Sequence, residues 1–218
     1  TKASPFVVLL AKGDHEVTSS WTGPGGIVRQ NTLGITRNNI TFIGQGETTI
    51  LGGIGIANVQ NITLKQITVT NTNGSGISIY GALVELVDVV TVHCCSNGIH
   101  VGNFSSSALS RLVATRCEMS NNSSYGLNIY NTHYNKSFNV CLKNCISHHN
   151  TYSGINVIGK GVLNAHGVAT TIHSNGDNGI CAYNSCKVII HLPSHHNTVY
   201  NNGDEDRKTN GGTITNVE

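Results

Sequence analysis

The residues that could do chemistry are few and scattered. Only 11% of the 218 residues are charged, with 11 acids against 13 Lys or Arg. Glycoside hydrolysis works with two carboxyl groups facing each other across the bond that breaks. No two acids are adjacent in any strand-like repeat segment, and the run Asp204-Glu205-Asp206 falls in a polar tail. One trio does keep a regular spacing. Asp88 lies ten residues before Gly98, Arg116 ten before Gly126, and Glu118 two beyond Arg116. If the glycines mark a repeat, Asp88 and Arg116 share an outward column on neighbouring coils. They are then either an exposed ion pair, which adds little stability, or the remnant of an acid–base site. Histidines recur at one type of turn, in His148-His149, His173 and His195-His196. Imidazoles stacked there could bind a transition metal, but solvated turn residues account for them equally well. No metal site is expected.

Those positions have meaning only if a repeat sets the register, and it does. Gly76-Ile77-Ser78-Ile79, Gly98-Ile99-His100-Val101, Gly126-Leu127-Asn128-Ile129, Gly154-Ile155-Asn156-Val157 and Gly179-Ile180-Cys181-Ala182 are variants of one unit. Weaker copies begin at Gly34 and Gly55, so successive glycines are 21, 21, 22, 28, 28 and 25 residues apart. A repeat of this length, made of short alternating strands without a helical stretch, predicts a solenoid. The first and third residues after each glycine face inward. A second strand ahead of the turn has the inward pairs Ile67/Val69, Val89/Thr91, Cys117/Met119, Cys145/Ser147 and Thr170/Ile172, the period-2 alternation of a strand with one buried face. A third, weaker strand centres on Val84, Leu112 and Val140.

The same register explains two of the seven cysteines. Cys117 and Cys145 fall in the inward column of Ile67, Val89 and Thr170 and behave as small core residues. Cys94-Cys95 and the pair Cys181/Cys186 lack metal-ligand spacing. With an odd count, at least one thiol has no partner within the chain. Asn122, Asn150 and Asn175 each stand four residues before a glycine, and His195-His196-Asn197 matches His148-His149-Asn150. Coils stacked about 4.8 Å apart would align these amides into a ladder through Asn122, Asn150, Asn175 and Asn197. The glycine that follows is expected to supply a positive φ or a tight bend.

The expected architecture is all-β: one right-handed parallel β-helix of roughly nine coils. Residues 1–30 form an N-terminal cap with entry strands, and 31–218 form the coils, closed by the charged tail Asp204–Lys208. A net charge of +2 without any Lys/Arg cluster argues against nucleic acid as a partner. The apolar run Phe6–Ala11 is far shorter than the ~20 residues of a membrane helix and lacks a cleavage site. Neither membrane insertion nor a targeting segment is expected within these residues.

The opening VVLLAKGDHEV, the segment ITFIGQGETTIL and the recurring glycine-led coils resemble the right-handed parallel β-helix superfamily. That superfamily includes pectate lyases, polygalacturonases and alginate epimerases. The tail KVIIHLPSHHNTVYNNGDEDR resembles β-helix repeat proteins of algae and large DNA viruses. The resemblance implies the fold, while its enzymes' motifs match poorly. The polygalacturonase pattern needs an Asp-Asp step and Gly-His-Gly, and this chain has Ala165-His166-Gly167 and no Asp-Asp. The epimerase pattern begins correctly at Tyr125-Gly126-Leu127-Asn128 but places an amide where an acid belongs. Gly52-Gly53-Ile54-Gly55 starts like a Ca²⁺-binding nonapeptide and then has Ala57 at its Asp position. For a polysaccharide lyase or epimerase acting on uronates, the resemblance implies Asp88, Arg116 and Glu118 as the catalytic neighbourhood, with Ca²⁺ as cofactor. A hard cation wants six or more oxygens, more than this face provides.

What remains is an outward row, Ser78, His100, Asn128 and Asn156, between the inward aliphatics. Such a strip of hydroxyl, imidazole and amide groups suits a glycan or a partner protein. The sequence therefore favours a non-catalytic scaffold with a flat polar face, with the uronate enzyme as the alternative. Outside that alternative no cofactor is expected.

Overall fold

The computed structural model describes residues 5–103, 109–131, 137–191 and 198–217. Each coil has three strands. An opening strand, such as Arg111–Thr115, is followed by a turn-side strand, Glu118–Ser120, and then by the glycine-led strand, Leu127–Tyr130. Every strand pairs in parallel with its counterparts one coil before and after, in the register the glycines define. The glycine-led strands make one eight-stranded sheet, and the opening and turn-side strands share a second, bent sheet. Phe6–Leu10 and Gly13–Glu16 pair with Ile40–Gly44 and Thr48–Leu51 as the first, incomplete rung. Full three-sided turns number about six. The count of roughly nine is too high because the first and last segments lack one or more strands.

Isoleucine, leucine and valine fill the axis. Ile77, Ile79, Leu127, Ile129, Ile155 and Val157 are completely buried, as are Leu86, Leu112, Val140 and Leu163 from the opposing face. Cys117 and Cys145 take their places in that core, each 2% exposed.

Polar backbone would be stranded wherever the coil turns, and the turn before each glycine resolves this with amides. Asn122 Nδ2 donates to Asn150 Oδ1, Asn150 to Asn175, and Asn175 to Asn202, each at 2.9 Å. The backbone N–H of each Asn donates to the same oxygen, at 3.1–3.2 Å. The second Nδ2 proton reaches a carbonyl of the preceding coil: Thr91, Met119 and Ser147 in turn. Asn197 lies outside the described residues, and in its coil Asn202 occupies the ladder position. The ladder ends where the chemistry changes. Asp206, standing opposite Gly179, accepts from Asn202 Nδ2 at 2.8 Å, and a carboxylate has no proton to pass on. At the other end Cys94 holds the position and contributes only its backbone N–H to Asn122.

The glycines do a different job from the one expected. Gly76, Gly98, Gly126, Gly154 and Gly179 are absent from the positive-φ residues; the left-handed residue is the one before the ladder Asn, at His93, Asn121, His149, Ser174 and Asn201 (φ 53–55°). Glycine is needed for room. A Cβ on Gly126 would stand 2.7 Å from Gly154 O and 2.8 Å from Asn150 Nδ2, so a side chain there would push the ladder aside.

Asn150→Ala leaves Asn122's backbone and side-chain N–H groups and the Met119 carbonyl without their buried partners. At about 1–3 kcal/mol for an unsatisfied buried group, the expected loss is about 2–4 kcal/mol, read from urea unfolding. A loss below about 0.5 kcal/mol would show that the ladder is not holding the turn.

Candidate functional site

Asp88 and Arg116 are brought together as the register requires, and they pair side-on. Arg116 Nε and Nη2 donate to Asp88 Oδ1 and Oδ2 at 2.6 and 2.8 Å, a bidentate pair. Both residues are left-handed, at φ 52° and 55°, in the bend between opening and turn-side strands. The pair therefore clips two stacked corners. Hydrogen bonds from Arg116 hold the Asp88 carboxyl below its ordinary value of 3.8, and the same bonds raise the Arg116 guanidinium. A base must be able to give up its proton, and this contact works against that. Glu118 turns away along its strand, to Ser120 Oγ at 2.7 Å and His148 Nε2 at 3.2 Å.

The turn-side histidines form an aromatic column. His148 and His173 stack with centroids 5.2 Å apart, and His173 and Tyr200 at 5.0 Å, with interplanar angles of 2° and 10°. His149 stands edge-on to His148, with their Nδ1 atoms 2.6 Å apart. Among the described residues no group of three His, Cys, Asp or Glu is placed to hold a metal. His195 and His196 lie outside the described residues.

The row Ser78, His100, Asn128 and Asn156 exists in register, continued by Cys181 and Lys208. It is not flat. Asn156 donates to Asn128 Oδ1 at 3.0 Å, and Asn128 Nδ2 lies 3.4 Å from His100 Nδ1, so the row is itself hydrogen-bonded along the rod. Its first part is roofed by an N-terminal loop in which Trp21–Thr22 pairs with Val28–Arg29. Trp21 lies against Gly34 and Gly55, where any Cβ would strike the indole, and stacks on Tyr80 at 6.2 Å. The Arg29 guanidinium sits 5.6 Å from the Trp21 ring centre and 5.5 Å from that of Tyr80, and donates to the Tyr80 hydroxyl. Ser78 is consequently buried, 3% exposed. Burial, and then the Arg29 charge, pull His100 from 6.5 down to about 4.

Beyond this roof the row becomes the floor of a groove of about 340 Å³. One wall is Tyr125 and Asp177 with Ser153; the other is Ile158 and Tyr183; Asn156 and Cys181 lie between. Tyr152 stands against Tyr125 with ring centres 5.6 Å apart and is half exposed, and Tyr130 is exposed in the column of Ile158 and Tyr183. The wall tyrosines were not singled out in the sequence. Their signal was there: Tyr130 and Tyr183 are the fourth residue after their glycines, always outward. A second cleft of about 310 Å³ on the opening face mixes Asn61, Thr63, Glu85 and Arg111 with aliphatic residues and has no aromatic ring.

No family model matches this chain, and no curated protein matches it by sequence. Solved structures do resemble it. Pectate lyase Pel9A superposes with a TM-score of 0.58 at 10% identity, covering 99% of this chain and 72% of that one. The A-module of the Azotobacter vinelandii mannuronan C-5 epimerase AlgE4 gives a TM-score of 0.49 at 14% identity, covering 97% and 80%. At 10% identity the likeness to Pel9A is one of fold alone: the chain is a parallel β-helix.

His100 is held neutral in the fold and takes up a proton more readily when unfolded. The unfolded chain therefore binds more protons between about pH 4 and pH 6.5, and stability falls as pH drops through that window. Urea midpoints measured from pH 7 to pH 4 are expected to decline less in His100→Gln than in the wild type. Parallel declines would contradict the half-buried, neutral imidazole.

Proposed function

We propose that the protein is a non-catalytic β-helix scaffold that binds an extended glycan along the groove of its glycine-led face. One observation carries the reading: Asn156 and Cys181 floor a groove between Tyr125 on one side and Tyr183 on the other, with Asn128 bonded to Asn156 in the same outward row. Sugar rings offer an apolar C–H face and a rim of hydroxyls. Tyrosines supply flat apolar area with a polar tip, and a few placed amides set orientation. The groove repeats at the rung spacing of about 4.8 Å, which suits a polymer better than a compact metabolite. Asp88, Arg116 and Glu118 support the non-catalytic reading, because each side chain is already engaged with a neighbour.

Tyr125→Ala and Tyr152→Ala are each expected to weaken glycan binding roughly two- to tenfold, the range for losing one aromatic contact, as measured by calorimetry against a retained polysaccharide. Binding unchanged in both variants would move the site elsewhere. Release of unsaturated uronate products, abolished by Arg116→Ala, would establish the lyase alternative instead.

A further inference from the structure

The groove has a charge pattern of its own. Along one rim the backbone stacks Tyr152, Asp177 and Asp204 on successive coils, through Asp177 N to Tyr152 O and Asp204 N to Asp177 O. Beside that column Glu205 stacks on Asn178. Asp177 lines the groove and makes no ion pair among the described residues. The floor ends in Lys208, opposite Cys181. Its ammonium is already committed, to Asp204 at 3.1 Å and Glu205 at 3.6 Å. The other rim carries Ile158 and Tyr183, and the next cation, Lys160, follows the left-handed corner at Gly159. At the roofed end, Arg29 is packed between Trp21 and Tyr80 and bonded to a phenol. Asp204 and Glu205 thus share one ammonium at the open end and Asp177 has none, while at the roofed end Arg29 makes no ion pair among the described residues and its buried Nη1 has no hydrogen-bond partner.

A carboxylate-bearing sugar would enter this groove against Asp177, and among the described residues that line it none is a cation. Like charges brought together out of bulk water repel, and an unpaired charge loses hydration that nothing replaces. We infer that the groove takes a carboxylate-free glycan and rejects uronate chains, a selectivity set by Asp177, the carboxylate that lines it. The inference rests on the glycan-binding reading and narrows it.

The full chain is tested by affinity electrophoresis and calorimetry against uncharged β-glucan, unsubstituted xylan, mannan and chitin oligosaccharides. Polygalacturonate and alginate oligomers of matched length serve as the acidic set. At least one carboxylate-free probe is expected to bind at least tenfold more tightly than either uronate. Asp177→Asn is expected to raise uronate affinity several-fold at low salt, with the gain vanishing at high salt because it is electrostatic. A structural effect of the substitution would not depend on salt in this way. Uronates bound by the wild type as tightly as the neutral probes would overturn this inference and leave glycan binding standing. Retention of none of the probes would overturn the glycan reading and the inference with it.

Discussion

Everything in this molecule depends on turning a corner without stranding backbone polar groups. A coil that reverses direction three times per turn loses strand pairing at each corner, and buried N–H or C=O groups left there are costly. The ladder from Asn122 to Asn202 answers this at one corner by using each amide completely: one proton to the next amide, one to a strand carbonyl, and the oxygen shared by two donors. Because the amides stack one per coil, they fix the register between coils. The glycine four residues later must remain glycine so that the next coil can approach. Register in turn decides which residues share an outward column. The groove is thus a consequence of the corner.

Two outward columns illustrate how differently the same register can be used. At the corner between opening and turn-side strands it sets Asp88 against Arg116, and they close on each other as a surface clip. On the glycine-led face it sets Asn156 against Asn128, and Asn156 lies between the Tyr125 and Tyr183 walls of the groove. The N-terminal loop decides where that face is open. Trp21 needs bare backbone beneath it, which Gly34 and Gly55 supply, so the first glycine-led strands are covered and the later ones are free.

Period-2 alternation and the glycine column made the three strands, the core aliphatics, the two core thiols and most of the ladder legible in the sequence. Each depends on residues of one type recurring at one offset. Legibility failed where a column changes residue type. Asp206 stands in the glycine column and Cys94 in the asparagine column, so both ends of the ladder were hidden. In the last coil His195-His196-Asn197 matches His148-His149-Asn150 in sequence, while the ladder amide is Asn202, which has no such flanking pair. Left-handed corners at Gln66, Asp88 and Arg116 carry no glycine or asparagine to mark them. The groove's depth was invisible for another reason: Tyr125, Tyr152 and Asp177 come from corners of different coils, and Trp21 reaches the face from outside the repeat. Walls assembled across coils leave no local pattern.

The most direct test of the groove is a nuclear magnetic resonance titration of the ¹⁵N-labelled chain with short linear β-glucan, xylan or mannan oligosaccharides. If the groove is the site, the side-chain amide signals of Asn128 and Asn156 shift together as ligand is added, while the Arg116 Nε signal stays in place. A shift centred on Arg116, with both amides unmoved, would contradict the account.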